Sequence, residues 1–430
     1  MNYSVVAGWL IIAMIIVSLV VRSRRPRTPV WSIMAFASFT AVVSGLVPLD
    51  ELGTAINLDV ILFLIGMFSI VSLAESSGLL SAIAAWFISL FRSPVLLVYA
   101  SSLFFGVLAA VAMNDTVALV GPPIAYTVAR ALGVNPTAMF LLLAFSLTIG
   151  SVMTPIGNPQ NVLIATGSGL QAPFLKFVLY LSIPTLLNLL ITPYILMKVY
   201  GVKLRRTGGL LVVPQEQIRN KRDAALALVG LVASIALLVA NDVLELLGLP
   251  HVTHRGFLPF LVASALYVLA SEPRRVIGGV DWGTVVFFIA MFISMEGVWR
   301  SGALNPLLSL LLPSRSDSVV TDLLLITALS VIGSQLVSNV PFAQLMLKYM
   351  HDLGYTEGDA HAWIALAMAT TIAGNLTLFG AASNIIILEY LESRMGSTIT
   401  FKEFLRVGAL VTLVNVVVYC TFLALAFYLL

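Results

Sequence analysis

Apolar runs long enough to cross a lipid bilayer are the feature that most constrains this chain. A transmembrane helix needs about 20 apolar residues. Apolar runs of about this length occupy 5–21, 30–48, 59–75, 176–197, 224–241, 257–270, 283–299 and 404–429, of which 257–270 is short. Further apolar regions, interrupted near their centres, occupy 95–131, 137–170, 319–350 and 362–392. Because lipid offers backbone groups no hydrogen bonds, these runs predict an all-α polytopic membrane protein.

The composition excludes most other classes of protein. The 430 residues are 60% hydrophobic and 10% charged, with a net charge of +3, whereas a soluble domain carries roughly 25% charged residues. With so little net charge we expect no nucleic-acid partner. Cys420 is the single cysteine, so neither an intrachain disulfide nor a thiol cluster can form. The four histidines are expected as solvated residues of outer loops, and we expect no metal and no resident cofactor.

The distribution of Lys and Arg predicts the orientation in the membrane. Arg22, Arg24, Arg25 and Arg27 follow the first apolar run, which places the first loop in the cytoplasm and the N-terminus outside. The long polar stretch in the middle of the chain carries many Lys and Arg residues and a single acid, Glu216. We therefore expect this linker in the cytoplasm, the C-terminus outside, and the cell membrane as the location.

An internal repeat divides the chain into two halves. "LFLIGMF" at 62–68 matches "VFFIAMF" at 286–292, an offset of 224 residues. "MNDT" matches "SNVP" with Asn114 over Asn339, and "TPIGNPQN" at 154–161 matches "TLFGAASN" at 377–384. Each copy crosses the membrane an odd number of times, and a cytoplasmic linker joins them. The two copies are therefore expected to have opposite orientations.

This repeat predicts the domain organisation. Residues 1–200 form the first transmembrane repeat, 201–222 the linker, and 223–430 the second, inverted repeat. Each repeat contains one re-entrant hairpin, at 95–131 and 319–350, and one broken helix, at 137–170 and 362–392. We expect about ten spanning helices in all, two of them broken, in addition to the two hairpins.

The interruptions predict a binding site at the middle of the membrane. Irregular backbone at that depth must face protein or a polar cavity, and paired breaks in two halves of a transporter point to its substrate site. The alternative is a pair of kinks that neighbouring helices repair. We predict that the substrate is bound by Asn114, Thr116, Thr154, Gly157, Asn158, Asn161, Asn339, Thr377, Gly380, Ser383 and Asn384.

Two acidic residues within the apolar regions call for separate interpretations. Asp115 lies beside the first hairpin tip, where a carboxylate is costly, so we predict that it couples transport to an ion; a helix-capping role is the alternative. Glu296 precedes Arg300 by four residues, which favours an ordinary helical ion pair.

Four motifs carry a resemblance to a known group of transporters. At "AMNDTVALVGPPIA", "MTPIGNPQN", "VSNVPF" and "GNLTLFGAASNIIILE" the sequence resembles the ion transporter superfamily. Within it the chain is similar to the arsenite-permease and NhaD-type sodium/proton antiporter group, and to anion permeases related to dicarboxylate/sodium symporters. The resemblance covers nearly the whole chain and implies an inverted repeat, paired hairpins, two broken helices and often a homodimer. Symporter relatives carry Ser-Asn-Thr at their hairpin tips; Met113, Asp115, Val340 and Pro341 depart from that pattern.

Together these features predict a secondary active transporter. Its partners are expected to be the lipid bilayer, a small inorganic or organic oxyanion-type solute such as arsenite, and a coupling ion. That ion is H⁺ or Na⁺, and in the second case Na⁺ would be bound at the site. The alternative is a sodium/proton antiporter with Asp115 as the exchanged site. An intramembrane enzyme is less favoured, because the sequence shows no activated nucleophile or metal-ligand set.

Overall fold

The protein is described by a computed structural model that covers residues 3–24, 29–91, 93–201, 217–312, 314–316, 318–378, 380–395 and 398–429. Its first-half helices, labelled in chain order, are α1 (Tyr3–Arg24), α2 (Val30–Val43), α3 (Leu52–Ala55), α4 (Leu58–Ser76), α5 (Leu79–Leu90), α6 (Pro94–Ala112), α7 (Asn114–Leu132), α8 (Pro136–Ser151), α9 (Pro159–Gly167) and α10 (Pro173–Val199). Those of the second half are α11 (Lys221–Leu246), α12 (Phe257–Leu269), α13 (Pro273–Gly278), α14 (Trp282–Ser301), α15 (Asn305–Leu311), α16 (Val319–Val337), α17 (Asn339–Asp352), α18 (Ala360–Ile372), α19 (Ala382–Met395) and α20 (Phe401–Leu429).

The all-helical prediction is confirmed for the residues that the structure describes. Helices that are long and apolar enough to cross a membrane are Leu58–Ser76, Pro94–Ala112, Pro173–Val199, Lys221–Leu246, Trp282–Ser301, Val319–Val337 and Phe401–Tyr428. Shorter apolar helices include Val30–Val43, although the apolar run extends to residue 48. Helix α2 ends early because the chain turns at Gly45, whose φ of 72° is a conformation that glycine adopts readily.

The two halves contain the same order of elements. Helices α1, α2, α4, α5, the pair α6–α7, the pair α8–α9 and α10 correspond in order to α11, α12, α14, α15, α16–α17, α18–α19 and α20. Each hairpin pair changes direction at a non-glycine residue of positive φ, Met113 at 66° and Ser338 at 78°. The opposite orientation of the halves and the domain boundaries stay predictions. Most of the linker, 202–216, lies outside the described residues.

Prolines and side-chain caps explain where several of these helices begin. Pro94, Pro136 and Pro159 each occupy the first helical turn, where a missing N–H costs nothing. The residue before each proline caps the helix, since its side chain accepts a hydrogen bond from a backbone N–H of the first turn. The caps are Ser93, Asn135 and Asn158. The start of each helix is therefore encoded locally.

The helices pack as two groups, which we call the frame and the hairpin bundle. In the frame, α2 and α1 pack on α14, whereas α12 and α11 pack on α4. In the hairpin bundle, α6 and α7 pack on α8, α16 and α17 pack on α18, and α10 packs on α20. Helix α19 also packs on α7, and α17 packs on α9, so the broken helix of each half contacts the hairpin of the other. The bundle therefore brings both breaks and both hairpin tips into one region.

The expectation that all four histidines lie in solvated loops was wrong for two of them. His351 lies in the last turn of α17, where it is exposed. His361 lies in the first turn of α18 rather than in a solvated loop, with its side chain 13% exposed. Its Nε2 is 3.4 Å from a carboxylate oxygen of Asp322, which is fully buried in α16. A predicted loop residue has thus become part of the contact between α16 and α18.

A close approach of α6 and α8 gives a prediction about stability. A Cβ at Gly150 would lie 2.1 Å from the carbonyl oxygen of Gly106 and 2.2 Å from its Cα, so the two backbones have no room for a methyl group. We expect Gly150→Ala to destabilise the protein by about 1–3 kcal/mol, measured as thermal unfolding in detergent. Gly53→Ala is the matched control, because nothing lies within 4 Å of the added Cβ. Equal losses in the two variants would contradict the importance of this contact.

Candidate functional site

Amide side chains of the first helix break form hydrogen bonds to its backbone carbonyls. Between α8 and α9 the chain forms a 3-10 turn at Pro155–Gly157. The Nδ2 of Asn161 donates to the carbonyls of Ser151 at 3.0 Å and Thr154 at 3.1 Å. The Nδ2 of Asn158 also donates to the Ser151 carbonyl, at 3.1 Å. These bonds replace helical ones that the break removes, and the residues involved are buried.

The second break repeats this arrangement at equivalent positions. The Nδ2 of Asn384 donates to the carbonyls of Gly374 at 2.9 Å and Thr377 at 3.4 Å. In the sequence match, these three residues correspond to Asn161, Ser151 and Thr154. The hairpin tip joins the same region, because the Nδ2 of Asn339 donates to the carbonyl of Gly380 at 2.9 Å. An asparagine therefore bridges the break in each half.

The two breaks differ in how completely their polar atoms are paired. The hydroxyl of Thr371, in α18, donates to Oδ1 of Asn161 and accepts from Nδ2 of Asn158, each at 3.1 Å. In the second half, Oδ1 of Asn339, Oδ1 of Asn384 and Oγ of Ser383 are buried and have no hydrogen-bond partner among the residues that the structure describes. Buried polar atoms are normally satisfied. The second break therefore offers oxygens that a bound molecule could use.

A cavity of about 900 Å³ lies beside these breaks. It extends from the hairpin tips to the first turns of α2, α14 and α20, with Trp31, Thr284 and Phe401 in its wall. Five predicted residues line it: Asn114, Asp115, Asn339, Thr377 and Gly380. The other predicted residues are buried but are not part of this lining: Thr116, Thr154, Gly157, Asn158, Asn161, Ser383 and Asn384. The binding role of all twelve stays a prediction.

Gln335 and Asp281 are among the polar residues of the cavity wall that sequence reasoning missed. Gln335, in α16, accepts a hydrogen bond from the Thr377 hydroxyl at 2.9 Å and donates to the Ala373 carbonyl at 2.9 Å. Asp281 caps α14 by accepting from the backbone N–H of Thr284 at 3.0 Å. Both line the cavity. Two sequence signals could have identified these residues. Gln335 is an amide within the apolar region 319–350, and Asp281 is an acid shortly before the apolar run 283–299.

The cavity wall is acidic. Asp115 and Asp281 are its charged side chains, and neither Lys nor Arg occurs among the described residues that line it. Asp115 lies in the first turn of α7, where the partial positive charge of a helix N-terminus favours a carboxylate. Such a wall suits a neutral or positively charged molecule better than a free anion.

Comparison with known proteins gives the chain its family. The family model described as citrate transporter (CitMHS) matches residues 9–373. The chain belongs to the citrate transporter family. Members of the citrate transporter family are secondary transporters rather than enzymes. This member is therefore a multi-pass membrane transporter.

Two related proteins are transporters, and a solved structure shares the fold. An uncharacterized transporter of Mycobacterium tuberculosis (strain ATCC 25618 / H37Rv) is 28% identical over 387 residues, which cover 88% of each protein. A silicon efflux transporter of Oryza sativa subsp. japonica is 25% identical over 70% of this chain and 73% of its own. The structure of Neisseria gonorrhoeae MtrF, from a class of antimetabolite efflux pumps, shares 13% identity and a TM-score of 0.55 over 99% of this chain and 95% of that one. MtrF therefore shares the fold of this citrate transporter family member.

Proposed function

We propose that the protein transports a small oxyanion-type solute in its uncharged form, of the arsenite kind, in exchange or symport with H⁺. The acidic cavity wall is the observation that carries this proposal, because two carboxyl side chains line the cavity without a described Lys or Arg. Arsenite is neutral at pH 7, so hydroxyl and amide groups can bind it without a cationic partner. The silicon efflux activity named for the rice relative supports a solute of similar chemistry.

In this proposal the hairpin tips and the second break bind the solute. Asn114, Asn339 and Thr377 provide neutral donors and acceptors at the cavity wall. Oδ1 of Asn339, which has no partner within the described part of the chain, is an acceptor for a hydroxyl hydrogen. Asp115 carries the coupling ion, which is H⁺ in the favoured case and Na⁺ in the other. The residues of the first break hold the backbone in the shape that leaves this wall accessible.

An organic anion such as citrate is a second candidate, favoured by the family match. In a cavity that carries two carboxylates, a multiply charged anion would be repelled unless a cation entered with it. A sodium/proton antiporter is a third candidate, because the same two carboxylates would attract Na⁺. These candidates differ in which solute drives exchange, so transport assays separate them.

Counterflow in proteoliposomes tests the solute directly. Liposomes that contain the purified protein and unlabelled solute are diluted into labelled arsenite, sulfate, succinate, citrate with and without Mg²⁺, or Na⁺. We expect arsenite exchange well above that of empty liposomes, and background values for sulfate and succinate. Citrate exchange that requires Mg²⁺ would favour the second candidate. Sodium-driven proton movement without solute uptake would favour the third and contradict our proposal.

The predicted orientation completes this proposal. We place the protein in the cell membrane with both termini outside and the linker in the cytoplasm, as the Lys and Arg distribution favours. With this orientation, the first turns of α2, α14 and α20 lie at the cytoplasmic face, so the cavity opens inward. Assembly as a homodimer is proposed from the resemblance alone.

A further inference from the structure

A cluster of charged residues joins the frame to the hairpin bundle at the end of α14. Glu296 of α14 forms an ion pair with Lys348 of α17 and a second with Arg300, whose Nε is 2.6 Å from the glutamate oxygen. Arg300 also forms an ion pair with Glu51, whose Oε2 is 2.6 Å from Nη1 of Arg300. The pair predicted from the spacing of Glu296 and Arg300 is thereby confirmed. We call Glu296, Arg300 and Lys348 the latch.

The latch is partly shielded from solvent. The side chain of Glu296 is 12% exposed and that of Lys348 is 27% exposed. Ion pairs at this depth are screened less by salt than exposed pairs are. Removal of Glu296 leaves the partly buried charge of Lys348 without this partner, whereas removal of Lys348 leaves Glu296 paired with Arg300. The contact between α14 and α17 therefore depends on both charges together.

The internal repeat places a different structure at the equivalent position of the first half. With the offsets of 224 residues for α4 and α14 and 225 for the hairpins, the residues that correspond to Glu296, Arg300 and Lys348 are Ser72, Ser76 and Pro123. All three of these line a second cavity, of about 810 Å³, which α4, α5, α7 and α13 border. No ion pair can form among two serines and a proline. The frame and the hairpin bundle thus form an ion pair at the latch, whereas a cavity lies at the repeat-equivalent position.

Both cavities open toward the same predicted side of the membrane. The 810 Å³ cavity lies at the C-terminal end of α4, and the 900 Å³ cavity reaches the N-terminal ends of α2 and α14. The latch lies at the opposite, C-terminal end of α14. In the predicted orientation, the contact between frame and bundle is therefore closed outside and open inside.

We propose that the latch holds the inward-open state, and that Lys348 must leave Glu296 before the cavity can open to the outside. In the outward-open state, α7 would close on α4 over Ser72 and Ser76, whose small side chains permit close packing. This inference rests on the proposed function only in that transport requires both states. Glu296 and Lys348 are positioning residues, because they do not line the solute cavity.

Cysteine accessibility tests the latch without any solute. In a Cys420→Ala background, one reporter cysteine is placed at a time. The first is Leu119→Cys, which lines the cavity of about 810 Å³, and the second is its repeat equivalent on α17, Gln344→Cys. A charged maleimide then labels the purified full chain in detergent. With Glu296→Gln and Lys348→Gln together, we expect the ratio of labelling rates, position 344 over position 119, to rise at least about 5-fold.

Two further variants keep this test specific. Lys348→Arg preserves the positive charge and is expected to keep the unmodified ratio. Arg315→Gln removes an ion pair with Asp359 that lies within the hairpin bundle, at 2.7 Å, and it too should leave the ratio unchanged. An unchanged ratio in the double variant, or a parallel rise at both reporters, would overturn the latch. Failure of the proposed function would instead appear in counterflow and would leave the labelling ratio unaffected.

Discussion

Asp115→Asn is expected to abolish solute accumulation driven by a pH gradient. The carboxylate lies in the first turn of α7, lines the 900 Å³ cavity, and takes part in none of the ion pairs found among the described residues. An asparagine has nearly the same shape but cannot bind and release a proton. Uptake of labelled arsenite into proteoliposomes with an imposed pH gradient should therefore fall to the level of empty liposomes.

Asp281→Asn provides the matched control for this prediction. The same chemical change is then made in the same cavity, but at an exposed residue that caps α14. We expect this variant to keep uptake driven by the pH gradient, although solute affinity can change. The opposite result, in which Asp281→Asn loses uptake driven by the pH gradient and Asp115→Asn keeps it, would assign the coupling role to Asp281 instead of Asp115.

Asn161→Leu is expected to produce the largest loss of stability among single side chains of the site. Its amide donates to the carbonyls of Ser151 and Thr154 and accepts from the Thr371 hydroxyl, all of them buried. A leucine would remove the hydrogen bonds to the two carbonyls, at about 1 kcal/mol each, and would take the acceptor from the Thr371 hydroxyl, at about 1–3 kcal/mol. The Ser151 carbonyl keeps its bond from Asn158, and the Thr154 carbonyl keeps its bond from the N–H of Gly157. We expect a total loss of about 3–5 kcal/mol and a melting temperature lower by about 5 °C or more.

The single cysteine makes this measurement simple. Cys420 is buried, so a thiol-reactive dye reports unfolding of the detergent-solubilised protein. The matched variant is Asn384→Leu at the equivalent position of the second break, where the side chain donates two hydrogen bonds but no described residue donates to its Oδ1. We expect a smaller loss there. If Asn384→Leu were the more damaging change, the first break would not be the better-paired half of the site.

The hairpins and breaks could be located in the sequence because their signals are local. Uninterrupted apolar runs encode helices, and Pro or Gly within such runs marks where a helix must stop. The structure turns the first hairpin at Met113, beside the predicted tip at Asn114, and ends α8 shortly before the "TPIGNPQN" motif. The helix order of the second half repeats that of the first, as the sequence matches suggested.

The composition of the cavity wall could not be predicted in this way. Asn114 and Asn339 line the cavity, whereas Asn161 and Asn384 belong to equivalent motifs and lie behind it. An amide within a break can bond to backbone carbonyls of its own chain or face the cavity, and the sequence is the same in both cases. Gln335 was missed because its partner, Thr377, lies 42 residues away in a different helix.

The sequence by itself determined that this protein is a helical membrane transporter built from two similar halves, because hydropathy, helix breakers and the repeat act through neighbouring residues. The tertiary structure alone decided which polar atoms remain unpaired, that two carboxylates share one cavity, and that Lys348 reaches Glu296 across the contact between α17 and α14. These features arise where separate helices meet. A pattern along one chain cannot specify the distance between side chains on different helices, and that distance decides their chemistry.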